Sequence, residues 1–238
     1  MIKITYDNKF TTNLVLVLDE TPKTKELELM LEQKLFNAKV GEVFVSVNLN
    51  REGNIYLGLE KGLAEDHEKI RTAGYTLAQK LVSEKISKIN LDCNEVDPKL
   101  ISTLVQGLLF SNYNFDKYKS TKKEDFNVEV SLLNAPTSLK AKIKEIEGVI
   151  RGVNVARDLV NTRAIDLYPE TYATKIVELF KGTAVEVEVF DKKEIEKLGM
   201  HAFLAVNAGS DKEPRFVVMK YFGNKTSDKH ITFVGKGL

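Results

Sequence analysis

Residues 134–153 read NAPTSLKAKIKEIEGVIRGV, and this segment decides how the chain is divided. Asn134-Ala135-Pro136 interrupts regular structure, and either Thr137 or Ser138 can cap the helix that follows. The apolar residues then recur at steps of four and three, which places them on one helix face: Leu139, Ile143, Ile146, Ile150 and Val153. The helix is predicted to extend to about Val160, a length of roughly 33 Å. It either bridges two domains or is a long core helix.

The residues before this segment alternate between strand-like and helix-like runs. Short β-rich runs occur at residues 2–6, 13–18, 43–47, 54–58, 86–91 and 127–133. Residues 51–54 resemble a hairpin turn in which Gly53 supplies a positive φ. Helices are expected from about Asp66, or from Glu65, to Ser83 and from Pro98 onward. Strands separated by helices predict an α/β domain with a largely parallel or mixed sheet.

The residues after the long helix again alternate between helix-like and strand-like runs. A helix is expected over residues 167–180, a half-buried strand over 184–190 and a short helix over 192–198. Residues 216–219 and 231–234 are continuously apolar, as in central strands covered on both faces. We therefore predict an α/β protein with an amino-terminal mixed-sheet domain over residues 1–132. A linker and long connecting helix occupy residues 133–162, and residues 163–238 form the first part of a second α/β domain.

Composition and charge exclude several classes of protein. Hydrophobic residues make up 43% of the 238 residues, and 35 Lys and Arg stand against 34 Asp and Glu. This balance argues against nucleic acid or an anionic membrane surface as a partner. Residues 113–125 form a charged loop, with Lys117, Lys119, Lys122 and Lys123 on a solvated face. Its aromatic residues Tyr113, Phe115 and Tyr118 either anchor the loop to the core or stack on bases.

The sequence contains no segment typical of export or membrane insertion. No signal-peptide core follows Met1, and no apolar run approaches the roughly 20 residues that span a bilayer. A cytoplasmic location without membrane attachment is therefore expected. Cys93 is the only cysteine, so an intrachain disulfide cannot form, and nothing in its neighbourhood would activate the thiol.

The residues that could perform chemistry are sparse. His67, His201 and His230 lie far apart without the spacing of a zinc site. No nucleophile elbow and no Walker-type phosphate loop occurs, and Gly58 and Gly62 are too sparse for a phosphate cradle. Lys236, between two glycines, follows a predicted buried strand, where open α/β sheets bind ligands. The segment is either a ligand-approach site or a Gly-rich turn with an exposed lysine.

Several motifs occur together in one order and spacing. They are QGLL at residues 106–109, YNFDKYK at 113–119, ARDLVNT at 156–162, PETYA at 169–173, VEVFD at 187–191, LGMHAFLAV at 198–206, Gly209-Ser210, Pro214-Arg215 and VGKGL at 234–238. This series resembles the leucyl aminopeptidase family, the two-metal cytosolic peptidases. The match is firm from about Gln106 to Leu238 and diffuse before it. Departures from the family pattern occur at Arg163, Ile165, Tyr168 and Asn207-Ala208.

The resemblance implies a catalytic peptidase domain beginning at residue 163, hexameric assembly and hydrolysis of amino-terminal residues from peptides. It implies two divalent cations, Mn or Zn, with Lys236 as a metal ligand. A lysine amine binds a metal only after losing its proton. The family's other ligands and its catalytic residues are expected beyond Leu238, so none is assigned within this chain. The chain alone is expected to bind no cation stably and to be inactive. The alternative is a non-catalytic α/β binding or oligomer-assembly module.

Overall fold

The computed structural model describes residues 1–18, 22, 24–59, 66–122, 124–224, 226–227 and 229–236. The chain forms two compact units, Met1–Arg157 and Asp158–Leu238. The division falls inside the long helix that the sequence predicts, which extends over Thr137–Asn161. Within the described residues, no helix is both long enough and apolar enough to cross a bilayer.

The first unit contains six strands and four helices among its described residues. In chain order they are β1 (Ile2–Tyr6), β2 (Thr12–Val17), α1 (Lys25–Glu32), β3 (Val43–Val47), β4 (Gly53–Gly58), α2 (His67–Ser83), β5 (Lys88–Asp92), α3 (Pro98–Phe110), β6 (Val128–Leu133) and α4 (Thr137–Asn161). The strands form one sheet in the order β1-β6-β5-β2-β4-β3. All neighbours are parallel except β3 and β4. The predicted α/β class with a mixed sheet is confirmed.

The β3–β4 hairpin and the start of α2 follow the predicted local chemistry. Arg51, in the turn between the two antiparallel strands, has φ 65°, and Gly53, the first residue of β4, has φ 142°. Asp66 caps α2, because its side chain accepts a hydrogen bond from the Lys69 amide at 3.1 Å. Glu65, the other candidate for the start, lies outside the described residues. Helix α1 was not predicted, although Thr24 caps it by accepting from the Leu27 amide.

The two faces of the sheet are covered differently. One core joins alternate strand residues such as Ile4, Leu14 and Val130 to the apolar stripes of α2, α3 and α4. A smaller cluster joins α1 to the β2–β4–β3 part, around Phe36 and Tyr56. A row of polar residues in register crosses all six strands: Thr5, Ser131, Asn90, Asn13, Asn54 and Ser46. These polar residues leave the second face without a continuous apolar surface.

The second unit contains α5 (Pro169–Phe180), β7 (Val185–Phe190), α6 (Lys192–Lys197), α7 (His201–Asn207) and β8 (Phe216–Tyr221). Strands β7 and β8 pair antiparallel. The strand predicted over residues 231–234 is wrong, since these residues form neither helix nor strand. Ile231, Phe233 and Val234 are 87%, 92% and 94% exposed. A β-rich sequence gains stability only where cross-strand neighbours bury it, and in the described part of the chain no strand pairs with this segment.

Candidate functional site

Lys236, the predicted metal ligand, lies in an irregular and exposed segment after β8. Apart from its chain neighbours, no heavy atom of the described residues lies within 4 Å of a Cβ built at the adjacent Gly235. Gly237 and Leu238, which complete the predicted motif, lie outside the described residues, as does Gly62. The other predicted feature of this site, the buried strand before it, is not formed. The described residues therefore do not enclose Lys236 in a binding site.

The described residues do not fit a divalent metal centre. Among them, no group of three or more His, Cys, Asp and Glu side chains is arranged to hold a metal ion. The Nδ1 atom of His67 lies 3.4 Å from the Thr103 hydroxyl, and the His230 ring contacts Phe222 edge-on. His201 is the first residue of α7. Stable zinc sites have three or four protein ligands, so Lys236 alone cannot bind two cations.

The segment that carries most of the family resemblance forms the end of one helix and the start of the next. Thr162, only 8% exposed, donates from its hydroxyl to the Asp158 carbonyl oxygen at 2.7 Å. Arg163, which departs from the family pattern, forms an ion pair with Asp166 at 3.0 Å. The Thr171 hydroxyl accepts from the Tyr168 amide at 3.0 Å and so caps α5. These contacts order the backbone and present no reactive group.

The aromatic residues of the loop after α3 pack on each other and on nearby cations. The guanidinium carbon of Arg157 lies 3.7 Å from the centroid of the Tyr113 ring. The Phe115 and Tyr118 rings meet edge-on at 5.7 Å, with the Lys117 amine 5.3 Å from the Tyr118 centroid. Cation–π attraction acts within about 6 Å of the ring centroid. Two of the sequence motifs, those around Tyr113 and Arg157, are thus in direct contact.

A polar cluster at the carboxyl ends of three parallel strands was not found from the sequence. Asn134 follows β6. Its side-chain Nδ2 donates to the Asp92 carboxylate at 2.9 Å, and its backbone N–H donates to the Asp7 carboxylate at 3.3 Å. Asp7 also pairs with Lys140 of α4 at 3.1 Å. The hydrogen bond from Asn134 is the largest cause that lowers the pKa of Asp92. The signal available was positional: Asp7 and Asn134 directly follow strands and Asp92 ends one, at the edge where α/β sheets bind ligands.

This cluster ties strand ends together and offers little to a ligand. The carboxylates of Asp7 and Asp92 already accept hydrogen bonds within the cluster, and a lysine amine supplies the positive charge. Asp7 and Asn134 both adopt a positive φ, 58° and 56°, which their residue types tolerate better than most. The cluster therefore fixes the turn from β6 into α4 against the end of β1.

Comparison with known proteins identifies the family. Residues 1–122 match the model of the cytosol aminopeptidase family, N-terminal domain, and residues 154–238 match that of the cytosol aminopeptidase family, catalytic domain. A probable cytosol aminopeptidase of Treponema denticola is 33% identical over 94% of the chain, and one of Clostridium tetani is 31% identical over 94%. These alignments cover 48% and 49% of the two relatives, so the chain spans about half their length.

Solved structures show the same fold. A mutant of tomato leucine aminopeptidase matches 94% of this chain and 52% of its own, with a TM-score of 0.73 and 19% identity. The bottromycin maturation enzyme BotP in complex with Mn matches 88% of this chain and 44% of its own, with a TM-score of 0.71 and 19% identity. The sequence resemblance is confirmed by the two family models that match in chain order. The chain belongs to the cytosol aminopeptidase family.

Proposed function

We propose that this chain supplies the amino-terminal part of a metal-dependent aminopeptidase that hydrolyses amino-terminal residues from peptides. The observation that carries the proposal is the succession of two family models over residues 1–122 and 154–238, and α4 begins in the interval between them and ends inside the second. In this proposal residues 1–132 form the amino-terminal domain, and residues 133–162 the linker and connecting helix. Residues 163–238 begin the catalytic domain. The compact units support a separate amino-terminal body and assign most of α4 to it.

The proposal assigns the metal chemistry mainly to residues outside the described part of this chain. Manganese or zinc is proposed because BotP is described with Mn and because of the family resemblance. Lys236 is proposed as one ligand, and no reaction step is assigned to the chain alone, since the described residues lack a suitable cluster. A cytoplasmic location is proposed because the relatives are named cytosol aminopeptidases. Hexameric assembly is proposed from the family resemblance. Nucleic acid is not proposed as a binding partner, because the net charge of the chain is close to zero.

The first test is the activity of the 238-residue chain. We expect no measurable turnover of a leucine chromogenic substrate with added manganese or zinc, because one lysine cannot activate a metal-bound water. The full-length Treponema denticola relative, assayed under the same conditions, is the positive control. Turnover comparable to that enzyme would refute the expectation. The Lys236→Ala variant is the matched control, and any trace activity that persists in it does not depend on Lys236.

A chimera tests the positive part of the same proposal. Residues 1–238 are followed by the carboxy-terminal half of the Treponema denticola relative, joined where the alignment ends. We expect this chimera to hydrolyse the substrate in the presence of manganese. Lys236→Ala should then lower its kcat/KM by at least about 100-fold, since even residues that only support metal ligands cost 10- to 100-fold. An active chimera that tolerates Lys236→Ala would remove Lys236 from the proposed ligand set.

A second candidate function is a non-catalytic binding or assembly module. The observation that favours it is the set of exposed apolar side chains in the second unit, which includes Val160 at 84% and Ile165 at 78% exposed. Soluble monomers rarely expose extended apolar patches, and such patches usually mark contact with another protein. Association of the chain with itself would bury these side chains without any catalysis.

A further inference from the structure

Helix α4 is held to the first unit by two different kinds of contact. Leu139, Ile143, Ile146 and Ile150 lie on one face and are buried in the main core. The next residues on that face are Val153, three positions after Ile150, and then Asn154 and Arg157. The fully buried part of the stripe therefore ends near the middle of the helix, and beyond it lie the half-buried Val153 and polar residues.

The polar continuation has one close contact, made by the exposed Arg157, and one unfavourable feature. The Arg157 guanidinium stacks on the Tyr113 ring at 3.7 Å from its centroid, close to van der Waals contact. The Asn154 Oδ1 atom, in contrast, is buried without a hydrogen-bond partner among the described residues. A buried polar atom without a partner costs stability. Beyond Ile150 no apolar side chain of α4 is fully buried, so this part of the helix depends largely on a stack that is easier to open than an aliphatic core.

This stack lies at the end of the first unit. The division between the two compact units falls between Arg157 and Asp158. After Arg157 the helix has only four more residues, of which Val160 is 84% exposed. We propose that the Arg157–Tyr113 stack is a releasable anchor. When it opens, residues 154–161 unwind or bend while the helix up to Ile150 stays packed. The stack makes this part of α4 a hinge.

Hydrogen–deuterium exchange of the 238-residue chain tests the anchor. Arg157→Ala and Tyr113→Leu both remove the stack, and Tyr113→Leu retains an apolar side chain. Each should speed amide exchange in residues 154–161 by about 3- to 10-fold, as expected from the loss of one cation–π contact. Exchange in residues 139–150 should not change. The double variant should exchange no faster than the single variants, because both lose the same contact.

Three further variants act as controls. Tyr113→Phe keeps the aromatic face and should therefore speed exchange less than Tyr113→Leu does. Arg157→Lys keeps the charge but loses the planar stacking group, so it should show part of the increase. Arg151→Ala removes an exposed arginine from the same helix and should have no local effect. Unchanged exchange in Arg157→Ala, or equal effects of Tyr113→Phe and Tyr113→Leu, would overturn the proposal. Faster exchange across the whole helix would also overturn it, since the stack would then be a general packing contact.

Discussion

At the scale of the single residue, Cys93 shows how burial removes reactivity. The side chain is only 6% exposed, and its sulfur points toward the Leu91 carbonyl oxygen at 3.8 Å. Burial, with a smaller contribution from the charges of Asp92 and Asp7, raises the pKa of the Cys93 thiol from 9.0 to about 11. The thiolate is the nucleophile in cysteine chemistry. The sequence-based interpretation of an unactivated thiol therefore has a physical cause in this fold.

The raised pKa predicts slow thiol modification in the native chain. A rise from 9.0 to about 11 lowers the thiolate fraction near pH 8 by about 100-fold. A disulfide reagent should therefore react with the native chain at least about 100-fold more slowly than with the chain in urea. Since Cys93 is the only cysteine, the absorbance change reports this residue alone. Equal rates in the two states would contradict the buried position.

The same shift gives a signed dependence of stability on pH. The folded pKa of Cys93 lies above the unfolded value, so its contribution is complete below pH 9.0 and declines as the pH rises toward about 11. In the Cys93→Ser variant, the free energy of unfolding measured in urea should not show this part of the decrease at alkaline pH. The difference in the free energy of unfolding between the parent chain and the variant should therefore be smaller at high pH than near neutral pH.

At the scale of the element, two glycines set the distance between α2 and α3. A Cβ at Gly74 would lie 2.3 Å from the Leu104 carbonyl oxygen, and one at Gly107 would lie 2.0 Å from that of Arg71. The helix backbones are therefore in direct contact at both points. Gly107 belongs to the QGLL motif at residues 106–109, so the close helix crossing gives a structural reason for a glycine in that motif.

This contact predicts opposite effects of the same substitution at different glycines. Gly74→Ala and Gly107→Ala should each destabilise the chain by about 1–3 kcal/mol, because the added methyl group forces the helices apart. Gly152→Ala on α4 is the matched control, since outside its own helix backbone no heavy atom of the described residues lies within 4 Å of its Cβ position. It should stabilise by about 0.5–1 kcal/mol through helix propensity. Urea unfolding measures all three, and a stabilised Gly107→Ala would disprove the close crossing.

Elements with a strong internal pattern were predictable, and elements that depend on distant partners were not. The stripe from Leu139 to Val153 predicted α4 almost to its observed end at Asn161, because helix periodicity is local. Residues 231–234 have only a high β propensity. They form a strand only if a neighbouring strand pairs with them, and the local sequence does not identify such a neighbour. Helix α1 was missed, although Leu27 and Met30 lie buried on one face. Lys236 was predicted from motif resemblance, and spacing alone could not show which residues would surround it.

At the scale of the whole molecule, the two units differ in how completely they bury apolar residues. The large core of the first unit includes many side chains with no exposed surface, such as Ile55, Leu77 and Leu104. In the second unit, Ala173 and Ile195 are the buried apolar residues of the described part. A sheet of two strands is marginal in water without further cover. Contact with another protein surface would therefore stabilise the second unit more than the first, because it would bury more apolar side chains.

This difference predicts that the purified chain self-associates through its second unit. Size-exclusion chromatography with light scattering should show a mass that rises with concentration. Ile231→Ser combined with Phe233→Ser should weaken association by at least about tenfold, since these side chains are 87% and 92% exposed and available for burial. Leu49→Ser, at a fully exposed position of the first unit, is the matched control and should have no effect. A concentration-independent monomer would contradict the assembly role, and equal weakening by Leu49→Ser would place the contact elsewhere.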